Sequence, residues 1–523
     1  MSNAVSSSET LPSVLAGPIL RHAADRELVL WLVGSAELAL QLRVWAAGTP
    51  EALIDTALTD SQCQRLWLGE RACLHLVRVV PDQPLPENQS IQYDIGLGEA
   101  DASGFRWMAD WAPHLCRSGR ACPDFVIKRH VDRVLHGSCR RPHHHAPDGL
   151  LRVDAEIVAA GDDAAARPAL LLMTGDQIYA DDVAGPMLRA IHSIIDLLGL
   201  YGETLEGGTV ADSAALLASP FTYYQRERLL PGVESNEALA EKFFGGVRKP
   251  VFTAANAHNH LITFSEVIAM YLLVWSPVCW QLIRPERPPL GEKKATLYER
   301  EERALQPFVE GLPRAARAMA HVPCYMIFDD HDVTDDWNLS ALWEESAYGH
   351  PFSRRIVGNA LLAYLLCQGW GNNPEAFTGV MPRIAGLLNA PESAGRLQQA
   401  HQDQVIDELL RFEQWHYCLQ TQPMIVVLDT RTRRWRSEIN RRYPSGLMDW
   451  EALSEFQQSM LGHESVIVIS PAPVFGVKLI EVIQKLFTLF GKPLMVDAEN
   501  WMAHRGAASV LLNIFGHSRT PRN

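Results

Sequence analysis

Two short stretches of the sequence end an apolar run in a cluster of carboxylates. One reads LLLMTGDQIYADD (170–182), and the other reads MIFDDHDVTDDWN (326–338). Like charges repel and burial of a charge is unfavourable, so a protein gains no stability from carboxylates crowded at the end of a buried strand. A metal cation held between the two segments would account for the pattern.

The candidate ligands of this cation are a thiol, two carboxyl groups and a phenol. Each follows an apolar run: Cys139, Asp176, Tyr179 and Asp330. Thiolate and phenolate favour a ferric ion or another strong Lewis acid, whereas carboxylates also suit calcium, magnesium or manganese. Taken singly, a lone cysteine is more often a buried thiol, and an aspartate at a strand end more often caps a helix or forms a turn. Three such strand ends in one domain together favour a metal site.

A further apolar run ends in an arginine-rich segment, LDTRTRR (428–434). Arg431 in this segment is a candidate for substrate binding, because a guanidinium group can donate two parallel hydrogen bonds to a phosphate. A surface arginine paired with Asp429 is the alternative interpretation, and the sequence does not favour one over the other. Trp337 and Asn338 are expected to orient the acidic loop from behind the ligands.

The elements that position these residues differ between the two parts of the chain. Residues 13–115 are predicted to form an antiparallel β-sandwich, because short segments there alternate apolar and polar residues between turn-rich stretches. A polar linker follows at 117–124. In residues 125–523 apolar runs alternate with helical patterns, which predicts an α/β domain whose ligands gather at the carboxyl ends of the strands.

The overall charge and the cysteine pattern exclude several classes of function. The formal net charge of −14 argues against non-specific nucleic-acid binding, which requires a basic face. A protein of this net charge can bind a small anionic substrate only where a metal ion or arginine side chains make the local potential positive. The nine cysteines include no C-x-x-C pair, so a disulfide or zinc framework is not expected and a reducing compartment fits best.

The sequence predicts a cytoplasmic protein without a membrane span. The N-terminal segment MSNAVSSSETLPS (1–13) contains neither an apolar signal-peptide core nor a twin-arginine signal. The most apolar long stretch, 261–283, contains Glu266 and Pro277, so a buried helix is preferred to a membrane span.

The motifs HGSCR, GDQIY, DDHDVTDDWN and LDTRTRRW together resemble those of the PhoD-like (alkaline phosphatase D) branch of metallophosphoesterases. The opening VLAGPILRHAADRELVLWL (14–32) is also similar to that family's leading domain, a sandwich of the fibronectin type III kind. The resemblance spans about residues 14–505. It implies a four-layer αββα catalytic domain and a centre of Fe³⁺ plus a divalent ion, with Ca²⁺ preferred and Mn²⁺ or Zn²⁺ as alternatives.

The resemblance also implies a role for each candidate residue. Cys139 and Tyr179 would bind the iron, and Asp176 would bridge the two ions. Asp330 stands where related enzymes have the asparagine of a Gly-Asn-His motif, which binds the second metal. His331 would hold the phosphate or protonate the leaving group. The implied reaction is hydrolysis of a small phosphate mono- or diester by a metal-bound hydroxide.

One motif of that family is absent from the sequence. No GDVH occurs, although VDAENW (496–501) and the helical pattern ASVLLNIF (508–515), which precede that motif in the family, are both present. We therefore expect a catalytic domain that lacks its last strand or strands, through truncation or degeneration. The alternative interpretation is a catalytically impaired member of the family that acts as a binding or scaffold protein.

Overall fold

The structure is a computed structural model, and it describes residues 11–98, 104–231, 251–252, 257–392, 395–474 and 500–517. The strands of the first part of the chain are β1 Val14–Ala24, β2 Glu27–Gly34, β3 Leu40–Ala46, β4 Ala52–Ala57, β5 Cys63–Gly69, β6 Ala72–Val79, β7 Ser90–Gly98, β8 Phe105–Arg106 and β9 Asp124–Val126. The later strands are β10 Val134–Gly137, β11 Leu170–Thr174, β12 Cys324–Ile327, β13 Tyr417–Leu419, β14 Met424–Val427 and β15 Val466–Ile469.

Most helices lie after β9. They are α1 Met108–Trp111, α2 Leu150–Ala160, α3 Gly185–Leu198, α4 Ser213–Ala218, α5 Phe264–Trp275, α6 Pro277–Gln281, α7 Glu292–His321, α8 Ala341–Tyr348, α9 Pro351–Tyr364, α10 Met381–Leu388, α11 Gln399–Leu409, α12 Trp450–Ser459 and α13 Arg505–His517. Helix α9 continues through a π-helical turn, Leu365–Gly369, to Trp370–Asn372. Short 3₁₀ helices occur at Pro113–Leu115, Arg226–Arg228, Ala257–Asn259, Pro374–Phe377 and Trp501–Ala503.

The first part of the chain forms two antiparallel sheets. Their strand orders are β1-β2-β6-β5 and β4-β3-β7-β8, and β9 also pairs with β7. Leu28 and Leu30 from the first sheet share one hydrophobic core with Leu42 and Val44 from the second. The predicted combination of antiparallel sheets with α/β elements is therefore confirmed, whereas the domain boundaries at 115 and 125 remain predictions.

The first of these sheets is buried on both faces, which the alternating pattern did not predict. In β2, Leu28 and Leu30 face the core shared by the two sheets, while Val29 and Trp31 face the main core of the molecule. The indole of Trp31 packs edge-on against Trp275 of helix α5 with 5.3 Å between ring centroids. Burial on both faces explains why β2 reads as an almost continuous apolar run.

Two further sheets carry the α/β part of the chain. Strands β10, β11 and β12 are parallel, whereas in the sheet β13-β14-β15 the first pair is antiparallel and the second is parallel. Ile425 and Val427 of β14 face the main core, and its Val426 faces a smaller core built with helices α12 and α13. The four-layer arrangement and the missing last strand remain predictions, and residues 496–499 of VDAENW lie outside the described residues.

The apolar stretch 261–283 forms a buried helix, as predicted. Every residue of α5 is buried, and the helix ends at Trp275, two residues before Pro277 opens α6. Thr263 caps its first turn by accepting a hydrogen bond from the Glu266 amide. Among the described helices, none is both long enough and apolar enough to cross a bilayer.

A buried ion pair ties α5 to the segment that precedes it. Arg226 donates to the Glu266 carboxylate from Nη2 at 2.6 Å and from Nη1 at 3.0 Å. His192 Nε2 lies 2.9 Å from the same carboxylate. Burial would raise the pKa of Glu266, but Arg226 and His192 outweigh that effect and lower it. Glu266 therefore remains charged within the core.

We predict that Arg226→Met destabilises the protein by about 3–5 kcal/mol, because it leaves the Glu266 carboxylate buried without its cationic partner. Urea unfolding measures this difference. Arg287→Met is the matched control, since Arg287 and Glu299 form an exposed pair whose loss should change the unfolding free energy by less than about 1 kcal/mol. Equal effects of the two substitutions would contradict the assignment.

Candidate metal centre

The residues predicted as ligands follow three parallel strands whose ends are aligned. Gly137 at the end of β10 lies opposite Met173, and Thr174 at the end of β11 lies opposite Ile327. Cys139, Asp176 and Asp330 follow these ends within three residues. Because the carboxyl ends of parallel strands meet at one edge of a sheet, the three side chains are delivered to the same place.

The turn between β11 and Asp176 requires glycine. Gly175 has a φ of +126°, and a Cβ atom there would lie 3.1 Å from Ser138 Cβ and 3.3 Å from Cys139 Sγ. Cys139 itself has a φ of +56°, in the left-handed region that non-glycine residues rarely adopt. The two loops are therefore in close contact, which brings the thiol to the aspartate.

The predicted site residues converge in the structure. Cys139 Sγ lies 3.6 Å from Asp176 Oδ2. Asp176, Asp330 and His331 each offer a ligand atom, and these three atoms all lie within 4.8 Å of one another. The ring of Tyr179 stacks on that of His331 with 4.7 Å between centroids. Cys139 is exposed, so the alternative of an ordinary buried thiol is wrong.

The electrostatics of the cluster favour a cation beside Asp176. Burial raises the pKa of Asp176 well above its ordinary value; His331 opposes this effect, and the carboxylates of Asp329 and Asp330 reinforce it. Burial likewise raises the pKa of Tyr179, and Asp176 adds to the increase. A metal ion would favour the anionic form of each ligand, since a positive charge stabilises the deprotonated state.

Asp181 is a functional candidate that the sequence reasoning missed. Its carboxylate is fully buried and accepts a hydrogen bond from His331 Nδ1 at 2.8 Å. Burial lowers the pKa of His331, but Asp181, Asp176 and Asp330 outweigh that effect and raise it to about 12. With Nδ1 directed to Asp181, Nε2 is the ring atom that can donate a proton to a substrate, or bind a metal once it has lost that proton.

Arg431 lies beneath the acidic cluster and is not on the surface. It is 1% exposed, and its Nε donates to Asp329 Oδ1 at 2.6 Å while its Nη2 lies 3.3 Å from Asp330 Oδ1. Burial would raise the pKa of Asp330, but Arg431 and His331 outweigh that effect and lower it. Because Arg431 is buried, the alternative of a surface arginine is wrong. Asp429 accepts a hydrogen bond from the backbone amide of Arg431 at 2.8 Å. The role of Arg431 in substrate binding remains a prediction.

Asp332 is a second residue that the sequence reasoning did not assign. Its buried Oδ1 accepts hydrogen bonds from the backbone amides of Gln177 and Ile178, each at 3.2 Å. Its own amide donates to Asp176 Oδ1 at 3.3 Å. Asp332 therefore fixes the loop that carries Asp176 relative to the loop that carries Asp330.

The expected support from Trp337 and Asn338 is present at the far end of the acidic loop. Trp337 Nε1 donates to the Tyr348 hydroxyl at 3.0 Å, and that hydroxyl donates to Asn338 Oδ1 at 2.7 Å. Asn338 Nδ2 donates to the Arg431 carbonyl at 3.0 Å. The acidic loop and the arginine segment are thereby held together.

The donors in this cluster fit a metal ion. Two carboxylates and an imidazole with ligand atoms within 4.8 Å of one another can bind one ion, and carboxylate and imidazole together suit Mn²⁺, Fe or Zn²⁺. Cys139 and Tyr179 border the same group and would add softer anionic donors. Within the described parts of the chain, this is the one such grouping of metal-binding side chains.

Comparison with known proteins yields similarity to solved structures only. No protein-family model matches the sequence, and no curated protein matches it. A solved structure titled "Structure of PhoD" is similar over 98% of this chain and 71% of that chain, with 11% identity and a TM-score of 0.42. A similarity of this size is a distant likeness of fold, and it identifies neither the activity nor the site residues of this chain.

We predict that Asp332→Ala accelerates hydrogen exchange at the amides of Gln177 and Ile178 by about 2- to 10-fold, because each loses an acceptor whose net contribution is about 0.5–1.5 kcal/mol. Asp332→Asn keeps Oδ1 and should restore most of the protection. Exchange measured by NMR or mass spectrometry tests this, with the amides of β11 as the internal reference. Unchanged exchange in the alanine variant would show that Asp332 does not hold this loop.

Proposed function

We propose that the protein is a metal-dependent hydrolase of phosphate monoesters or diesters. The main support for this proposal is the convergence of Asp176, Asp330 and His331 at one sheet edge. Cys139 and Tyr179 lie beside them. Such a set of anionic and imidazole donors is the kind of site that clamps a phosphoryl group through a bound ion.

Asp176 and Asp330 would hold the ion, with Cys139 and Tyr179 on the side of Asp176. When bound, the ion would supply Lewis acidity toward a phosphoryl oxygen and lower the pKa of a coordinated water. Arg431 holds Asp329 and Asp330 in place from beneath, so these carboxylates cannot turn away from the site. The chain thereby preorganises its charges before substrate arrives.

His331 is suited to move a proton at the leaving oxygen. Its Nδ1 is directed to Asp181 at 2.8 Å, which fixes the ring and leaves Nε2 to carry the transferable proton. Stacking against Tyr179 restricts rotation of the imidazole. The alternative role of Nε2 is to bind the metal. Substitution of His331 would lower the metal content if Nε2 is a ligand, and would leave it unchanged if Nε2 is a proton donor.

The identity and number of the ions are also part of the proposal. Fe³⁺ with Ca²⁺, or with Mn²⁺ or Zn²⁺, follows from the sequence resemblance. The guanidinium of Arg431, next to Asp330, places a second positive charge at the acidic loop. We therefore propose that one ion at Asp176 together with Arg431 suffices to neutralise the cluster, and that the second ion binds more weakly.

A binding or scaffold protein is the second candidate function. One observation favours it: Arg431 neutralises part of the acidic cluster without any ion, so the fold does not depend on a complete metal centre. Such a protein would bind an anion or partner without turnover.

The direct test uses p-nitrophenyl phosphate and bis(p-nitrophenyl) phosphate as substrates. We predict hydrolysis of at least one of them with added Mn²⁺ or Fe, and loss of activity on chelation. Asp176→Asn should reduce kcat by at least about 10²-fold, because it removes a carboxylate from the ion. Asp196→Asn changes an exposed aspartate on α3 and should leave kcat unchanged. Absence of turnover in the metal-loaded wild type would favour the binding protein.

His331→Ala tests the role of the histidine. As a proton donor it contributes about 10²–10⁴-fold to the rate, so the variant should lose that factor in kcat while its metal content stays the same. His463→Ala, at an exposed position, is the control. Parallel loss of metal and turnover would assign His331 as a ligand, and unchanged turnover would assign it a structural role.

A further inference from the structure

A cavity of about 160 Å³ opens beside the candidate metal centre. Its mouth is formed by exposed residues from two segments. These are His136, Gly137, Ser138 and Cys139 at the end of β10 and directly after it, and His144, Ala146, Pro147 and Gly149 of the loop before α2. Its floor is buried and apolar, and consists of Leu150, Val153, Leu171, Met173 and Phe308. The proposed chemistry does not use this cavity.

The cavity and the metal centre share a wall. Cys139 and Gln177 both line the cavity. Cys139 Sγ is also 3.6 Å from Asp176 Oδ2, and Gln177 directly follows Asp176 in the chain. A group attached to a phosphoryl centre beside Asp176 could therefore extend into the cavity next to the Cys139 side chain.

The lining of the cavity indicates the chemistry of its occupant. The carboxylate of Asp148 is compensated, because Arg140 Nη2 lies 2.6 Å from it, and the same guanidinium lies over the Phe308 ring at 5.2 Å. Arg141 is paired with Asp182 at 2.6 Å. The carboxylate of Asp148 is therefore already paired and does not favour a cationic ligand. The buried apolar floor favours an apolar ligand. An apolar cavity of about 150 Å³ is large enough for a benzene ring.

We propose that this cavity is the binding site for the ester group of the substrate, and that this group is a small apolar one of about the size of a benzyl ring. The inference rests on the proposed function, because it places the phosphoryl group at Asp176. It deepens that function by naming the substrate class: phosphate esters of small aromatic or branched alcohols.

Two glycines allow a matched test. Gly149 lines the cavity, has helical backbone angles and has no atom within 4 Å of the position of an added Cβ. Gly149→Leu should therefore fold normally and fill the mouth. Gly379 has equally open surroundings and does not line the cavity, so Gly379→Leu is the control.

The substrates are benzyl phosphate and ethyl phosphate, whose alcohols are similarly poor leaving groups. We expect the wild type and Gly379→Leu to prefer benzyl phosphate in kcat/KM by about 10- to 100-fold, since ring burial contributes to transition-state binding. Gly149→Leu should lose most of that preference while retaining its kcat/KM for ethyl phosphate. Equal use of both esters by the wild type, or an unchanged preference in Gly149→Leu, would overturn the proposal and leave the phosphoesterase assignment intact.

If the wild type hydrolyses neither these two esters nor the p-nitrophenyl esters, the proposed function fails, and the assignment of the cavity is then tested by direct binding. Saturation-transfer NMR with benzyl alcohol should then show binding to the wild type and to Gly379→Leu, and a loss of the signal in Gly149→Leu. Absence of binding to the wild type, or equal binding to all three proteins, would overturn the assignment of the cavity.

Discussion

The repulsion among carboxylates at one edge of the parallel sheet is the constraint on which the site depends. β10, β11 and β12 end in register, and the loops that follow them deliver Asp176, Asp329 and Asp330 to a common, largely buried place. Burial and mutual repulsion both disfavour the charged forms, so positive charge must be supplied nearby. The positions of Arg431 and His331 follow from this requirement.

The positive charge within the protein does not compensate all of these carboxylates equally. Arg431 contacts both Asp329 and Asp330, and its effect lowers the pKa of Asp330, whereas burial outweighs it at Asp329 and raises the pKa there. Asp176 lies beside the exposed thiol of Cys139, and its pKa is raised. The unsatisfied part of the site is therefore Asp176 and its neighbours, which is where a metal ion would do most to stabilise the folded protein.

The convergence of the site was predictable from the sequence because it depends only on strand ends. Apolar runs that stop at Gly137, Thr174 and Ile327 indicate parallel strands, and parallel strands bring their carboxyl ends to one edge. The supporting residues were not predictable in the same way. Asp181 and Asp332 stand among several neighbouring aspartates, and the sequence alone does not show which of these is directed at His331 or at the backbone amides of Gln177 and Ile178. Their burial depends on packing against loops that are distant in sequence. The burial of β2 on both faces was likewise not predictable, because the sequence of a short apolar strand does not indicate which elements pack against its two faces.

A metal ion is proposed to complete the charge balance at Asp176. The most direct measurement is the metal content of the purified protein by inductively coupled plasma mass spectrometry, after incubation with Mn²⁺ or Fe and removal of unbound ions. We predict about one tightly bound ion per chain in the wild type and in Asp196→Asn, and its loss in Asp176→Asn. A wild-type protein without bound metal, or one whose metal content is unaffected by Asp176→Asn, would contradict it.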